Sequence, residues 1–280
     1  MNRNFFIFAV VLLCFPSFIA ATERVERKNV PYYAETVLDG AGDYQKSQCV
    51  LDIFAPKDAK NLPVIIWFHG GGLTSGSKDV PEAFRQCDMV SVAVGYRLSP
   101  KAKFPEFLED AAASIAWCFE NIEKYGGDPK KIFVGGTSAG GYLTGMIGLD
   151  SRWLKPYGIE PRRIAGLIPF TGQMTTHFHV KELLKYPQSK YMPVIDENAP
   201  MYYVSKDCSP IAFVVGDRKI EWPGRVEENE LMAASLRAMK HPLVEFHENP
   251  GFDHGTVGKC PEAWEQMIRF IEKVSGDKLR

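Results

Sequence analysis

Apolar residues in this chain gather into short runs separated by more polar windows of helical spacing. Leu62–Phe68 is continuous and rich in β-branched residues, as a strand buried on both faces requires. Val90–Val94, residues 131–135, residues 164–170 and Ile211–Val215 repeat that character. Residues 242–248 instead alternate apolar with polar positions, the period-two pattern of a strand. Residues 110–124, 228–240 and 261–274 read as helices. Strand runs alternating with helical windows predict a mostly parallel, doubly wound α/β sheet flanked by helices. Residues 31–50 are expected to supply an antiparallel strand pair on the way into that sheet. No internal repeat or low-complexity tract interrupts the pattern.

Candidate chemistry sits where the runs end. Residues 131–135 lead into Gly136-Thr137-Ser138-Ala139-Gly140, and a helix-like stretch follows. A strand, a G-x-S-x-G pentapeptide and a helix make the sharp turn that lifts a serine hydroxyl above a parallel sheet. Glycines at its two ends leave room for the neighbouring strand and helix. Upstream, Gly126-Gly127-Asp128-Pro129 reads as a turn that brackets the strand. Leu62–Phe68 ends directly in His69-Gly70-Gly71-Gly72. A hydroxyl attacking a carbonyl creates an oxyanion, which needs N–H donors already in place at close range. Bare glycine amides can approach it, so Gly71 and Gly72, with Ala139 just after the serine, are the candidate donors. His69 is assigned to holding that loop.

The third component is a histidine late in the chain. Asn249-Pro250-Gly251-Phe252-Asp253-His254-Gly255 follows the last strand as a loop. A general base must be neutral near pH 7 and able to reach over the strand tops, which makes His254 the candidate. His247 reads as a strand residue with an ordinary polar contact and His241 as a turn residue. His177 and His179 read as surface or pocket-lining. Their i, i+2 spacing suits a strand-borne metal pair, but no cysteine or carboxylate cluster completes a site, so no metal is expected.

With these motifs in this order, the chain resembles the α/β-hydrolase superfamily. The likeness is to esterases carrying an HGGG loop, the hormone-sensitive-lipase-like, acetyl-esterase and carbohydrate-esterase branch. It runs from Val50 to Ile271 and includes Gly95-Tyr96-Arg97-Leu98, then Phe104-Pro105 with Asp110 opening a helix. The resemblance implies that Arg97 and Asp110 form a structural ion pair; two solvated surface charges are the alternative. It also implies an acid three residues after the glycine that ends the seventh strand, in the chain order Ser, acid, His. That glycine is Gly216, and the implied position holds Lys219, a cation that cannot hold a histidine N–H. Asp217 and Glu221 flank it. Glu221 has the longer reach, with Trp222-Pro223 available to fix its loop, so it is the expected acid and Asp217 the alternative. A distorted triad, or a dyad, stays open because the third member chiefly orients the base.

Composition sets bounds around this chemistry. At 280 residues and 45% apolar composition, the chain can bury one large α/β core. A formal net charge of -1 gives no electrostatic case for nucleic acid or an anionic membrane as partner. In residues 1–21, Arg3 precedes an apolar run and then small residues, the order of a secretory signal peptide. Residues 22–280 are then expected to be a single catalytic domain, exported to the periplasm or the medium. An uncleaved anchor is the competing reading. Outside that segment, Cys49, Cys87, Cys118, Cys208 and Cys260 form an odd set, so at least one is free or pairs with another chain. Cys118, beside Trp117 in a helical window, is expected to be buried.

Residues 171–210 separate the sixth and seventh strands, and a connection of that length usually shapes a site. Residues 181–186 read as a helix within it, near Tyr191, Met192, Tyr202 and Tyr203. It is short for a full cap, so no large cap and a fairly open pocket are expected. An open pocket suits small acyl groups on a larger alcohol. Acetylated or feruloylated sugars are examples, the carbohydrate part resting on the resemblance and on export. The chemistry expected is acyl transfer to water by Ser138 and His254, which needs no cofactor. Amide or peptide hydrolysis, as in formamidase-like or prolyl-peptidase-like relatives, is an alternative, as is a non-catalytic binding protein.

Overall fold

Successive side chains of a strand point to opposite faces, so an apolar run without polar breaks has to be covered on both sides. The computed structural model describes residues 23–279 and shows how these runs are covered. Its strands are β1 (Arg24–Pro31), β2 (Val50–Pro56), β3 (Leu62–Phe68), β4 (Val90–Val94), β5 (Gly127–Thr137), β6 (Gly166–Phe170), β7 (Ile211–Val215) and β8 (Val244–Glu248). They form one sheet in the order β1-β2-β4-β3-β5-β6-β7-β8. β2 is antiparallel to both neighbours, and every pair from β4 through β8 is parallel.

The helices are α1 (Glu35–Asp39), α2 (Asp43–Gln48), α3 (Glu82–Arg85), α4 (Glu106–Asn121), α5 (Ala139–Leu149), α6 (Ser151–Leu154), α7 (Phe178–Leu183), α8 (Arg225–Ala238) and α9 (Pro261–Ser275). In β3, Val64, Ile66 and Phe68 enter one core, while Ile65 and Trp67 enter the other. Ile211 and Phe213 against Ala212 and Val214 divide β7 in the same way. Leu108 of α4, Leu143 of α5 and Met232 of α8 cover the first face; Phe84 of α3 and Met267 of α9 cover the second. The sheet is thus the doubly wound, mostly parallel one that the pattern predicts.

Several boundaries differ from the sequence reading. Residues 31–50 do not make a strand pair among themselves. The antiparallel pair is β1 with β2, and α1 and α2 occupy the stretch between them. That stretch carries Glu35 and Asp43 in first helical turns, where a negative charge favours a helix start. Gly127-Asp128-Pro129 belongs to β5 instead of forming a turn, with a register shift between Leu62 and Val64 of the partner strand. α4 starts at Glu106, so Asp110 lies one turn inside that helix and does not open it. The helix of the long connection is Phe178–Leu183, earlier than residues 181–186, because His177 caps it and accepts the His179 amide at 3.2 Å. Cys49, Cys118, Cys208 and Cys260 are free thiols, with Cys118 buried. The signal-peptide reading of residues 1–21 lies outside the described residues.

Asp110 is fully buried. Its carboxylate accepts Arg97 Nη2 at 2.7 Å, Arg97 Nε at 2.9 Å, the Arg97 amide at 2.9 Å and the Tyr33 hydroxyl at 2.7 Å. The pair is structural, not two solvated charges. It anchors the loop after β4, whose Ser99 amide donates to Leu73 O at 2.9 Å, next to the glycine loop. Asp110→Ala leaves a largely buried guanidinium without its main partner. Urea denaturation should show a stability loss of about 3–5 kcal/mol. A loss below about 1 kcal/mol would be the behaviour of a surface pair.

Candidate active site

Parallel pairing lines up the carboxyl ends of β3, β5, β7 and β8 along one edge, where open α/β sheets collect their ligands. Ser138 follows β5, and α5 starts at the next residue. Its φ of 55° and ψ of -111° are disfavoured for any residue with a side chain. The surroundings hold it there: the Ser138 amide donates to Phe170 O at the end of β6, at 2.8 Å. A Cβ on Gly140 would stand 2.0 Å from Phe68 O, so so close a crossing of α5 over β3 requires glycine.

Beyond β7 the chain doubles back. The Asp217 carbonyl accepts the amides of Ile220 at 2.9 Å and Glu221 at 2.8 Å, a single turn that returns Glu221 to the sheet edge. The Glu221 side chain is 1% exposed, and its Oε1 lies 2.8 Å from His254 Nδ1. The same oxygen accepts the Trp222 amide at 2.8 Å. His254 Nε2 lies 2.8 Å from Ser138 Oγ. With Nδ1–H donating to a carboxylate, the neutral ring has its lone pair on Nε2, so the serine hydroxyl donates to it. A proton leaving Ser138 has somewhere to go, and the imidazolium it forms faces a buried anion.

Asp217, the alternative acid, is not at His254. Its Oδ1 accepts the Lys219 amide at 2.9 Å and its Oδ2 the Gly251 amide at 2.8 Å. These amides hold its carboxyl below the usual carboxylate range. Lys219 is exposed and contributes its main chain to that turn. The triad geometry therefore survives a cation at the implied position because the acid comes from two residues further along.

Gly70, Gly71 and Gly72 line a 420 Å³ pocket with Ser138, Trp222 and His254. Gly71 has φ +109°, and a Cβ there would lie 2.1 Å from Ser75 O, so the loop needs glycine at this point. Its carbonyl accepts the amides of Thr74 and Ser75 at 3.1 and 3.0 Å. Among the described residues, the amides of Gly71 and Gly72 have no protein acceptor. Ala139 is the first residue of α5, where amides have no acceptor within the helix. His69 closes the loop from beneath, with Nδ1 2.7 Å from Gly70 O and its ring stacked 4.3 Å from Tyr96. Burial lowers its pKa, which favours the neutral ring.

Trp222 is a residue the sequence placed only as a support for the loop. Its indole stacks on the His254 ring, centroids 4.5 Å apart and planes 18° from parallel. No spacing rule marks such a contact; adjacency to the acid was the sole signal. His177 corrects another reading: it is buried, stacked 4.3 Å from Phe178, and is not at the surface. Desolvation first, then the nearby Arg225 charge, hold its pKa well below the ordinary histidine value. His179 lies 2.9 Å from Glu182. Among the described residues, no His, Cys, Asp and Glu grouping could hold a metal ion. His247 meets Glu245 at 3.0 Å on its own strand, and His241 lies 2.9 Å from Cys208 O.

On the other side of Trp222 the long connection and α8 enclose a cavity of 870 Å³. Its walls are largely apolar, with Phe178, Met192, Ile195, Trp222 and Leu231 prominent. Arg225 and Glu228 lie among the lining residues as a buried ion pair, Nε to Oε1 3.0 Å.

The family model named BD-FAE matches residues 51–221, a span that holds the glycine loop, Ser138 and Glu221. The chain belongs to the BD-FAE family. Esterase LipC of Mycobacterium tuberculosis (strain ATCC 25618 / H37Rv) is 27% identical over 229 residues, covering 74% of this chain and 56% of that protein. Carboxylesterase NlhH of Mycobacterium tuberculosis (strain ATCC 25618 / H37Rv) is 33% identical over 129 residues, 44% of this chain and 37% of that protein. The chain thus spans about half, or less, of the length of these relatives. A solved truncated form of a carbohydrate esterase from gut microbiota superposes with a TM-score of 0.71 at 18% identity, covering 92% of this chain and 98% of that one. The Pyrobaculum calidifontis esterase in its monoclinic form gives 0.60 at 24%, covering 80% of each chain. The BD-FAE chain has the α/β-hydrolase fold.

Proposed function

We propose that this BD-FAE protein is a serine carboxylic ester hydrolase working through an acyl-enzyme. The observation that carries this reading is the unbroken hydrogen-bond relay from Ser138 through His254 to Glu221, opening onto the glycine loop. Ser138 Oγ attacks the ester carbonyl carbon as its proton passes to His254 Nε2. The amides of Gly71, Gly72 and Ala139 stabilise the oxyanion. The intermediate collapses with the same proton going to the departing alcohol. Water activated by His254 then attacks the acyl-serine, and the acid leaves.

The proposed substrates are esters of small acyl groups, acetyl or feruloyl in type, among them esters of carbohydrates. Two connected features support this: a small pocket at Ser138 and a much larger one beyond Trp222, which belongs to both. The similar solved structure described as a carbohydrate esterase is in keeping with it. Export is proposed with it, on the charge, apolar and small-residue order of residues 1–21.

A fluorophosphonate probe should label Ser138 stoichiometrically, followed by peptide mass spectrometry. Phenyl acetate should be turned over far faster than acetanilide. Absence of labelling would favour a binding protein, and equal turnover of ester and anilide would favour an amidase.

Trp222 gives a further test. Its ring already faces the imidazole, which gains a proton as Ser138 attacks, so the attraction of the π face for that ring strengthens in the transition state. Trp222→Leu, which keeps bulk but loses the π face, should lower kcat by about threefold to tenfold, and Trp222→Phe by less. An unchanged kcat in the leucine variant would remove this role.

A further inference from the structure

Lys181 lies in α7, is 2% exposed, and donates to main-chain carbonyls of the next loop. Its Nζ reaches Ser189 O at 3.1 Å, Lys190 O at 3.1 Å and Met192 O at 2.6 Å. All three ammonium protons thus have acceptors, which offsets the loss of water around a buried charge. Desolvation lowers its pKa, while the charges of Glu228 and Asp196 act the other way.

What these bonds hold matters more than their number. Among the described residues, no other hydrogen bond ties residues 188–193 to the rest of the protein. The Met192 amide donates to Ser189 O, and the Tyr191 amide to Ser189 Oγ, both within the segment. Side-chain packing does not substitute: Tyr191 is 77% exposed and Met192 55%. Yet Lys190, Tyr191, Met192 and Pro193 form one wall of the 870 Å³ cavity beside Trp222. Lys181 does not line that cavity itself.

We propose that Lys181 is a positioning residue for substrate selection, clamping residues 189–192 as the wall against which the bulkier group of an ester lies. The proposal rests on the ester-hydrolase reading of the same site. A flexible wall still gives apolar contact, but the bound group must then order the loop as it binds, which weakens affinity. Small esters that occupy only the pocket at Ser138 do not need the wall.

The test compares 2-naphthyl acetate with ethyl acetate in the full chain. In Lys181→Met, the naphthyl-to-ethyl ratio of kcat/KM should fall about tenfold, carried by KM for 2-naphthyl acetate. Trypsin cleavage after Lys190 should quicken at the same time. Lys181→Gln, neutral and too short to reach all three carbonyls, should move both readouts in the same direction, and it serves if the methionine variant does not fold. Parallel losses on both esters would mean a general structural role and overturn the proposal, as would an unchanged ratio. Binding of 2-naphthol to Ser138→Ala, with and without Lys181→Met, separates this from the hydrolase reading. If neither ester is turned over by the parent protein, that reading fails, and unchanged naphthol affinity would remove the clamp as well.

Discussion

Ser138→Ala is expected to lower kcat on p-nitrophenyl acetate by about a millionfold while the fold persists. The alanine keeps the cavity, the glycine loop and His254 but removes the atom that bonds to carbon. What remains is oxyanion stabilisation acting on attack by water, worth roughly 10³–10⁴ over solution. His254→Ala should be about as severe, and the double variant little worse, because hydroxyl and imidazole act as one unit. Stability adds a second signature. Ser138 holds φ at 55°, a strain that any side chain at this position shares. Ser138→Gly should therefore abolish turnover and yet raise the unfolding free energy, by about 1 kcal/mol. A loss of less than about a hundredfold in purified Ser138→Ala would mean that another residue supplies the nucleophile.

Why Ser138 was legible and the acid was less so follows from what constrains each. The pentapeptide is fixed by local sterics: Gly140 must pass Phe68 O, and strand and helix must follow at once, so the requirement is written in adjacent residues. The strands were legible for a similar reason, since burial on both faces leaves no room for polar breaks in Leu62–Phe68 or Ile211–Val215. The acid obeys a looser rule. All that is needed is a carboxylate at the far nitrogen of His254, and the turn after β7 can deliver it from more than one position. Here Asp217 closes that turn with its carbonyl and carboxylate, and Glu221 reaches the histidine. The burial of His177 is not legible because Tyr142 and Arg225, distant in sequence, reach it only in the folded chain. α1 and α2 were missed because short helices held between strands carry too few residues to show a period.

Glu221→Gln should lower kcat by about 10⁴-fold, and Asp217→Asn by less than about tenfold. The carboxylate makes Nδ1 the protonated nitrogen of His254 and so leaves Nε2 free to accept from Ser138. An amide side chain can present its NH₂ group to Nδ1 instead, which puts the ring proton on Nε2, facing the nucleophile. It also removes the anion that stabilises the imidazolium, in a site where the side chain is almost wholly screened from water. Asp217 acts otherwise. Both its oxygens accept main-chain amides, and an asparagine can match only one of them, so Asp217→Asn should lower the melting temperature through the turn. The two variants thus separate by kind: one loses rate with little loss of stability, the other stability with little loss of rate. If Asp217→Asn slowed acetate hydrolysis as much as Glu221→Gln, the acid would have to be reassigned, since the static relay would not be the one used in turnover.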